Sequence, residues 1–514
     1  MVHRVRARVG LLFALSLLIQ LALCALPDSM GDLLGYRVWA RTLASEGLAG
    51  AYWPRGASGA GESITIPVDY PPVFPYLLLF IGRACGSCSN AVIESVIRLP
   101  LVLANIATAF LILRAARRIA SPNGAIVAAA LFLFNPAVIF DTSYWGQADS
   151  LCALLLTLAA VELTRRPQWA WTCLALAVLT KPLAYPFVPL AMVVTVKRFG
   201  WRRGLGAAAA FTFCFAAAVL PFARTGHLGP LLRSLFVQLD AMPYLSVNAH
   251  NLWWLLQRGT PWIDAREKAL GWLSYEQLGI ALFAAFYAWT LVRAWRSEDE
   301  NAPRVAFASV ALGFFVLSTH MHENHLFNFL PLVLLAGPAD RRARVFFMLA
   351  SCTLLANMLL HDPSLTSIVR PFVPGPHLVL PEVTNLDPAF FDQFLTLGYG
   401  DMVALVRGET SLLGVAFTAF NSQVNVLLLA AWILATYTGR SFDGALREGA
   451  RPRLPTSFAP AALVFVVATI VPFLSHALRA SPSEPRLGAV PITDPRRAGH
   501  VAHTRDQERE VAPR

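Results

Sequence analysis

Chemistry is concentrated in a few short stretches of an apolar chain. The run "STHMHENHLF" at 318–327 closes the uncharged segment 305–319 and sets His320, His322, Glu323 and His325 side by side. Imidazoles donate hydrogen bonds to anions and titrate near neutral pH, and a carboxylate can take a proton from a hydroxyl. Three further stretches carry acids and aromatics. They are "PDSMGDLLGYRVWA" (Asp28, Asp32, Tyr36, Arg37, Trp39), "VDYPP" (Asp69, Tyr70) and "NPAVIFDTSYWGQADS" (Asp141, Tyr144, Trp145, Gln147, Asp149). Lys181 interrupts the apolar "LTKPLAYP", and "NAHNLWW" contributes Asn248 and His250.

Each stretch also has a plain structural reading. Asp32 follows Gly31 and precedes a helical pattern, so it suits an N-cap. Asp69 before Tyr-Pro-Pro suits a turn. The histidines, Trp145 and "NAHNLWW" suit residues at headgroup depth. Lys181 either contacts an anionic ligand or reaches out from a helix end. Four polar groups arriving at one side of a membrane argue for a shared site, because ionisable groups at membrane depth are costly.

The elements that would position them are membrane helices. The 514 residues are 56% hydrophobic and 14% charged, with mean hydropathy +0.54, against about 25% charged in soluble proteins. Many runs are long enough to cross a hydrocarbon core about 30 Å thick. They are continuously apolar rather than alternating, which specifies helices over a barrel. The expected spans are 9–26, 91–113, 124–140, 148–163, 168–180, 183–196, 204–222, 277–292, 305–319, 326–338, 345–360, 411–436 and 458–478. The fold class is therefore an all-α polytopic membrane protein with about 13 transmembrane helices. The run 9–26 looks like a signal peptide but lacks a small-x-small cleavage site, so it reads as an uncleaved first helix.

A net charge of +11 invites a nucleic-acid reading, but the placement of the charge speaks for topology. With a cytoplasmic N-terminus, Arg4/Arg6/Arg8, Arg114/Arg117/Arg118, Arg165/Arg166, Lys197/Arg198/Arg202/Arg203, Arg293/Arg296/Arg304, Arg341/Arg342/Arg344 and Arg440/Arg446/Arg451/Arg453 all fall on the inner side. Loops 27–90, 223–276 and 361–410 then lie outside, with all four polar groups. The organisation expected is a transmembrane domain over 1–478 and a disordered tail over 479–514, rich in Pro, Arg and Glu. In the first outer loop, Leu33, Tyr36, Ala40, Leu43 and Ala44 share a helical face, and "YPPVFPYLLLFIG" reads as a second interfacial or re-entrant helix starting at Pro71 and Pro72. Seven cysteines give no disulfide framework; Cys85 and Cys88 form a CxxC that is either a disulfide or two free thiols.

These motifs carry a resemblance. "GDLLGYRVWA", then "DYPP", then "DTSYWGQADS" between helices, then "HMHENHLF" opening a late helix, together resemble the GT-C integral-membrane glycosyltransferases. The likeness is strongest to the branch that uses dolichyl-phosphate-glucose in N-glycan assembly and to its bacterial relatives. That pattern has Gly-Asp before a juxtamembrane helix with Arg and Trp, an Asp-Tyr-Pro-Pro, and a His-x-His-Glu-Lys. It covers roughly residues 1–340, and Asn324 stands where the family has lysine. The resemblance implies a GT-C fold and transfer of a hexose, glucose or mannose, from a polyprenyl-phosphate-linked donor to an acceptor hydroxyl, with inversion. It implies Asp32 as general base and Asp69 as a second acid orienting base or acceptor. His320, His322, His325 and Arg37 become candidates for the donor phosphate, with His325 next to the missing lysine as its substitute; Lys181, read from the apolar run it interrupts and not from the resemblance, is a further candidate. Tyr70, Asp141, Tyr144, Trp145, Gln147, Asp149, Glu323, Asn248 and His250 become candidates for binding substrate. No cofactor is expected and metal-independent action is implied. The partners implied are the polyprenyl-phosphate-sugar, a glycan or lipid-linked glycan acceptor, and membrane lipid, with no nucleic acid. The Ala- and Arg-rich composition suggests a bacterial inner membrane, with the site on the extracytoplasmic side.

Two other functions fit such a chain. A transporter or flippase of lipid-linked sugars would place ionisable groups near the midplane, commonly in repeated halves. A scaffold subunit would need no acids and imidazoles gathered on one face.

Overall fold

The computed structural model describes residues 2–26, 32–52, 68, 70–118, 120–236, 243–257, 263–338, 340–361 and 412–437. Asp28, Asp69, the expected span 458–478, the tail 479–514 and all of the loop 361–410 but His361 lie outside the described residues. The chain divides into two compact units, Met1–Val471 and Pro472–Arg514, and the described residues all belong to the first.

The protein is a membrane-integral, mostly helical molecule. Helix α1 is Val2–Leu23, followed by α2 (Asp32–Glu46), α3 (Val73–Cys85), α4 (Asn90–Ala116), α5 (Pro122–Leu133) and α6 (Pro136–Ile139). After a π-helical turn at Phe140–Trp145 come α7 (Asp149–Glu162), α8 (Pro167–Val178), α9 (Phe187–Phe199), α10 (Trp201–Arg224), α11 (Leu228–Phe236) and α12 (Leu252–Leu256). A hairpin of β1 (Lys268–Leu270) and β2 (Leu273–Ser274) leads into α13 (Tyr275–Arg296), α14 (Ala302–Leu317), α15 (Phe329–Ala336), α16 (Arg341–His361) and α17 (Leu412–Tyr437).

By length and apolarity, α4, α10, α13, α16 and the Thr418–Thr436 part of α17 can each cross a membrane. The stretch Pro122–Leu133 with Pro136–Trp145, bent by 44°, is a sixth candidate. Several other expected spans are shorter helices. Proline explains much of this: Pro136, Pro167 and Pro182 each start a new helical piece, because proline has no N–H to continue the preceding helix. The expected spans 124–140 and 168–180 are thus broken or short.

The helical face expected in the segment 27–90 is present in α2. Leu33, Tyr36, Ala40 and Leu43 of α2 are buried, and they pack with Phe74, Leu78 and Ile81 of α3 and Ile93, Ile97 and Leu101 of α4. The approach of α2 to α3 leaves no room for a side chain at Gly82, whose added Cβ would lie 1.9 Å from the Ala40 carbonyl oxygen. Cys85 and Cys88 close a disulfide at the end of α3. Arg41 holds that turn, donating to the carbonyls of Gly86 and Cys88 and to the Asn90 side chain. The second and larger core joins α4 to α9 with α12 to α17.

Candidate functional site

The histidine loop is built by capping. Helix α14 stops at Leu317, leaving its last carbonyls without intrahelical donors. Asn251 Nδ2 donates to the carbonyls of Phe315 and Ser318, at 3.1 and 3.2 Å, and Trp253 Nε1 donates to that of Leu317 at 2.9 Å. "NAHNLWW" is therefore a buried clamp on the end of α14, with Trp253 and Trp254 inside the protein rather than in an aromatic belt. The segment after it pairs as extended chain. His320 N–H donates to the Tyr244 carbonyl at 3.2 Å, and Val247 N–H to the Met321 carbonyl at 2.9 Å. His320 and Asn248 have φ of +62° and +60°. Non-glycine residues there are uncommon, and such strain persists only where surrounding structure holds it.

Glu323 and Asn324 of this loop are buried against the acid-bearing end of α7. Asp149, in the first turn of α7, is fully buried and pairs with Lys181 Nζ at 2.5 Å. Asn324 Nδ2 donates to the same Asp149 oxygen at 2.8 Å. Asp141 is fully buried nearby, with Asp149, Lys181, Asn324 and Asp32 as its electrostatic neighbours. Glu323 Oε2 has no hydrogen-bond partner among the described residues. Burial pushes the Glu323 carboxyl up to about 7; its own backbone opposes that rise, the charge of Asp32 adds to it, Lys181 opposes it and Asp149 adds to it.

Asp32 opens α2, where the helix dipole favours an acid. Its side chain makes a tertiary contact: Oδ2 accepts from Trp145 Nε1 at 2.5 Å. Trp145 ends the π-helical turn, a form that recurs at functional sites. Gly146 follows with φ +83°, and a Cβ there would sit 2.7 Å from Leu33 Cδ2, so the turn and α2 approach closely. Beside this contact, the Tyr36 and Tyr70 hydroxyls lie 3.0 Å apart, and both donate to Gln147 Oε1, at 3.3 and 3.1 Å. Lys181 Nζ stands 5.9 Å from the centre of the Tyr70 ring.

Asp32, Tyr70, Asp141, Trp145, Gln147, Asp149, Lys181, His322, Glu323 and His325 thus converge. Burial pushes the imidazoles of His322 and His325 below their ordinary range, and the Lys181 charge adds to this in both. They act as neutral rings. His325 Nδ1 accepts from the His322 backbone N–H at 3.1 Å, which leaves its proton on Nε2. His320 is part of the same loop, its Nδ1 2.8 Å from Thr319 Oγ1.

Other expected residues are engaged differently. Arg37 pairs with Glu94 of α4. Lys181 is matched to Asp149, so its charge is already balanced within the protein. Tyr144 contributes its backbone carbonyl, which accepts from Arg98, while its ring packs on Phe140. Asn248 sits opposite His322, its carbonyl taking a bond from Asn357. His250 belongs to a separate buried network. Its Nδ1 accepts from Asn421 at 2.8 Å, so its Nε2 carries the proton toward His361 Nε2, 3.1 Å away.

Arg98 is a residue that the motif reading missed. Buried in α4, it donates to the carbonyls of Cys24 and Leu26 at 2.8 Å each, and to Tyr144 at 2.6 Å. It thereby ties the end of α1 to the turn that carries Trp145. The available signal was an arginine within the apolar run 91–113. Gln20 does similar work, accepting from Asn105 and Ser143.

Among the described residues no three His, Cys, Asp or Glu side chains converge as metal ligands. The donors this cluster offers an anion are histidine ring N–H groups, since Asp149 already engages the Lys181 ammonium. No protein-family model and no curated protein matches the chain. What the fold and geometry define is a membrane-integral helical protein with a cluster of acids, neutral imidazoles and hydroxyls beside helix α2.

Proposed function

We propose that the protein is a GT-C-type glycosyltransferase that moves a hexose from a polyprenyl-phosphate-linked donor to an acceptor hydroxyl. The observation that carries this reading is the convergence of Asp32, held by Trp145, with the histidine loop and the Lys181–Asp149–Asn324 contact. These come from four distant parts of the chain, and all but Lys181 lie in stretches that carry the resemblance to the family.

In this reading Asp32 takes the proton from the acceptor hydroxyl as that oxygen bonds to the anomeric carbon. The bond from that carbon to the phosphate oxygen breaks, and the polyprenyl phosphate leaves with the electron pair. Attack from the face opposite the phosphate inverts the anomeric centre, through an oxocarbenium-like state. The leaving anion is met by N–H groups of the histidine loop, with His322 and His325 donating as neutral imidazoles. Asp69 is proposed as the second acid, and Tyr70, Gln147 and Glu323 as hydrogen-bonding groups to sugar hydroxyls. The full count of about 13 spans, a cytoplasmic N-terminus, a bacterial inner membrane and an extracytoplasmic site belong to the same proposal. The Cys85–Cys88 disulfide supports that side, since disulfides persist in oxidising compartments.

The test is transfer by the purified protein in detergent from synthetic polyprenyl-phosphate glucose and mannose, with and without EDTA. Product with one of these donors, retained in EDTA and lost in His322→Ala, is the expected result. No product with any such donor and acceptor would overturn the reading. A transporter of lipid-linked sugars is the second reading, favoured by the fully buried Lys181–Asp149 pair, since such pairs mark transport pathways. Donor movement across vesicles without chemical change would select it.

A further inference from the structure

The β1–β2 hairpin is a surface feature that the site does not use. Its tip places Leu270 at 61% exposure and Trp272 at 81%, around Gly271 with φ +52°. A tryptophan this exposed at a tight turn contributes nothing to the core. The hairpin is nevertheless tied to α13. Lys268 Nζ donates to the Trp272 carbonyl at 3.2 Å, and Ser274 and Gln277 form a capping box that starts α13 directly after β2.

The position of the tip relative to lipid follows from α13. That helix has 22 residues, about 33 Å at 1.5 Å per residue, against a hydrocarbon core about 30 Å thick. Its outward residues Ile280, Val292 and Trp295 are exposed and apolar, and Arg293 and Arg296 mark its far end. A span of this length puts its first residue, Tyr275, at the edge of the hydrocarbon, and Trp272 only three positions earlier. The charges around the tip, Asp264, Arg266, Glu267, Lys268 and Glu276, include three acids and two bases, so no net positive charge surrounds it.

We propose that the hairpin is a lipid anchor, with Leu270 and Trp272 seated in the boundary between headgroups and acyl chains of the bilayer. Because no net positive charge surrounds the tip, its apolar side chains and not an anionic headgroup drive this contact. The anchor is mechanically joined to the histidine loop. Tyr275 and Glu276 donate to the carbonyls of Glu267 and Ala265; Ala265 donates to that of Pro243; His320 donates to that of Tyr244. The chain of backbone bonds runs from the tip to the loop and sets the depth of His320 and His322 relative to lipid. The proposal stands on the membrane character of the protein and not on the reaction assigned to it.

The test reconstitutes the full chain, wild type and Trp272→Phe, in phosphatidylcholine vesicles. The difference between the two emission spectra isolates Trp272. Phosphatidylcholine brominated near the ester end of its chains is the lipid quencher, and iodide the aqueous one. The expected result is a blue-shifted difference emission that brominated lipid removes more than iodide does, unchanged when anionic lipid is added. Quenching by iodide equal to or above that by lipid, or quenching by neither, would overturn the anchor.

Discussion

Glu323 is the residue whose environment makes the sharpest claim about pH. Its carboxyl ordinarily titrates at 4.5 and is raised to about 7, chiefly by burial. The folded state therefore favours the protonated form more than the unfolded state does. Stability from this group is fully present below pH 4.5 and is lost as the pH rises through 7. The shift corresponds to about 3 kcal/mol at most. Glu323→Gln should flatten the fall in thermal stability between those pH values, measured by unfolding in detergent; an unchanged pH profile would show that Glu323 is not buried as described. Burial holds the imidazoles of His322 and His325 beside it below their ordinary range, a charge state that residue type alone does not reveal. The sequence marked polar residues within apolar runs but not their pairing. Asp149 and Lys181 stood out separately, while their contact depends on how α7 meets the turn after α8.

At the scale of elements, that contact joins the start of α7 to the segment between α8 and α9 and to the histidine loop. Removing one partner leaves a buried charge. Lys181→Met should destabilise the protein by about 3–5 kcal/mol. The double change Lys181→Met with Asp149→Leu should recover most of that loss, because no charge is then stranded. Equal loss in the single and double variants, read from detergent unfolding, would contradict a buried pair. The helical faces of α2 and α3 were legible from apolar spacing and from Pro71-Pro72, as their packing confirms. The π-helical turn and the clamp by Asn251 and Trp253 were not. A π-turn has no residue-type signature, and a side chain that caps a helix from far along the chain leaves no local pattern.

At the scale of the molecule, apolar runs announced a membrane protein, and the described residues contain five helices able to cross, or six with the bent pair. Hydropathy overlooks breaks at prolines within apolar runs, which is why several expected spans are short helices. The proposed reaction requires that Asp32 and the histidine loop serve one centre. A double-mutant cycle on sugar transfer tests this most directly. Asp32→Asn should slow single-turnover release of polyprenyl phosphate by about 10²- to 10⁴-fold, the usual range for a lost general base. Because both groups act on one transition state, adding His322→Ala to Asp32→Asn should cost far less than the product of the two separate losses. Wild-type turnover in Asp32→Asn, or losses that simply multiply, would contradict a shared centre.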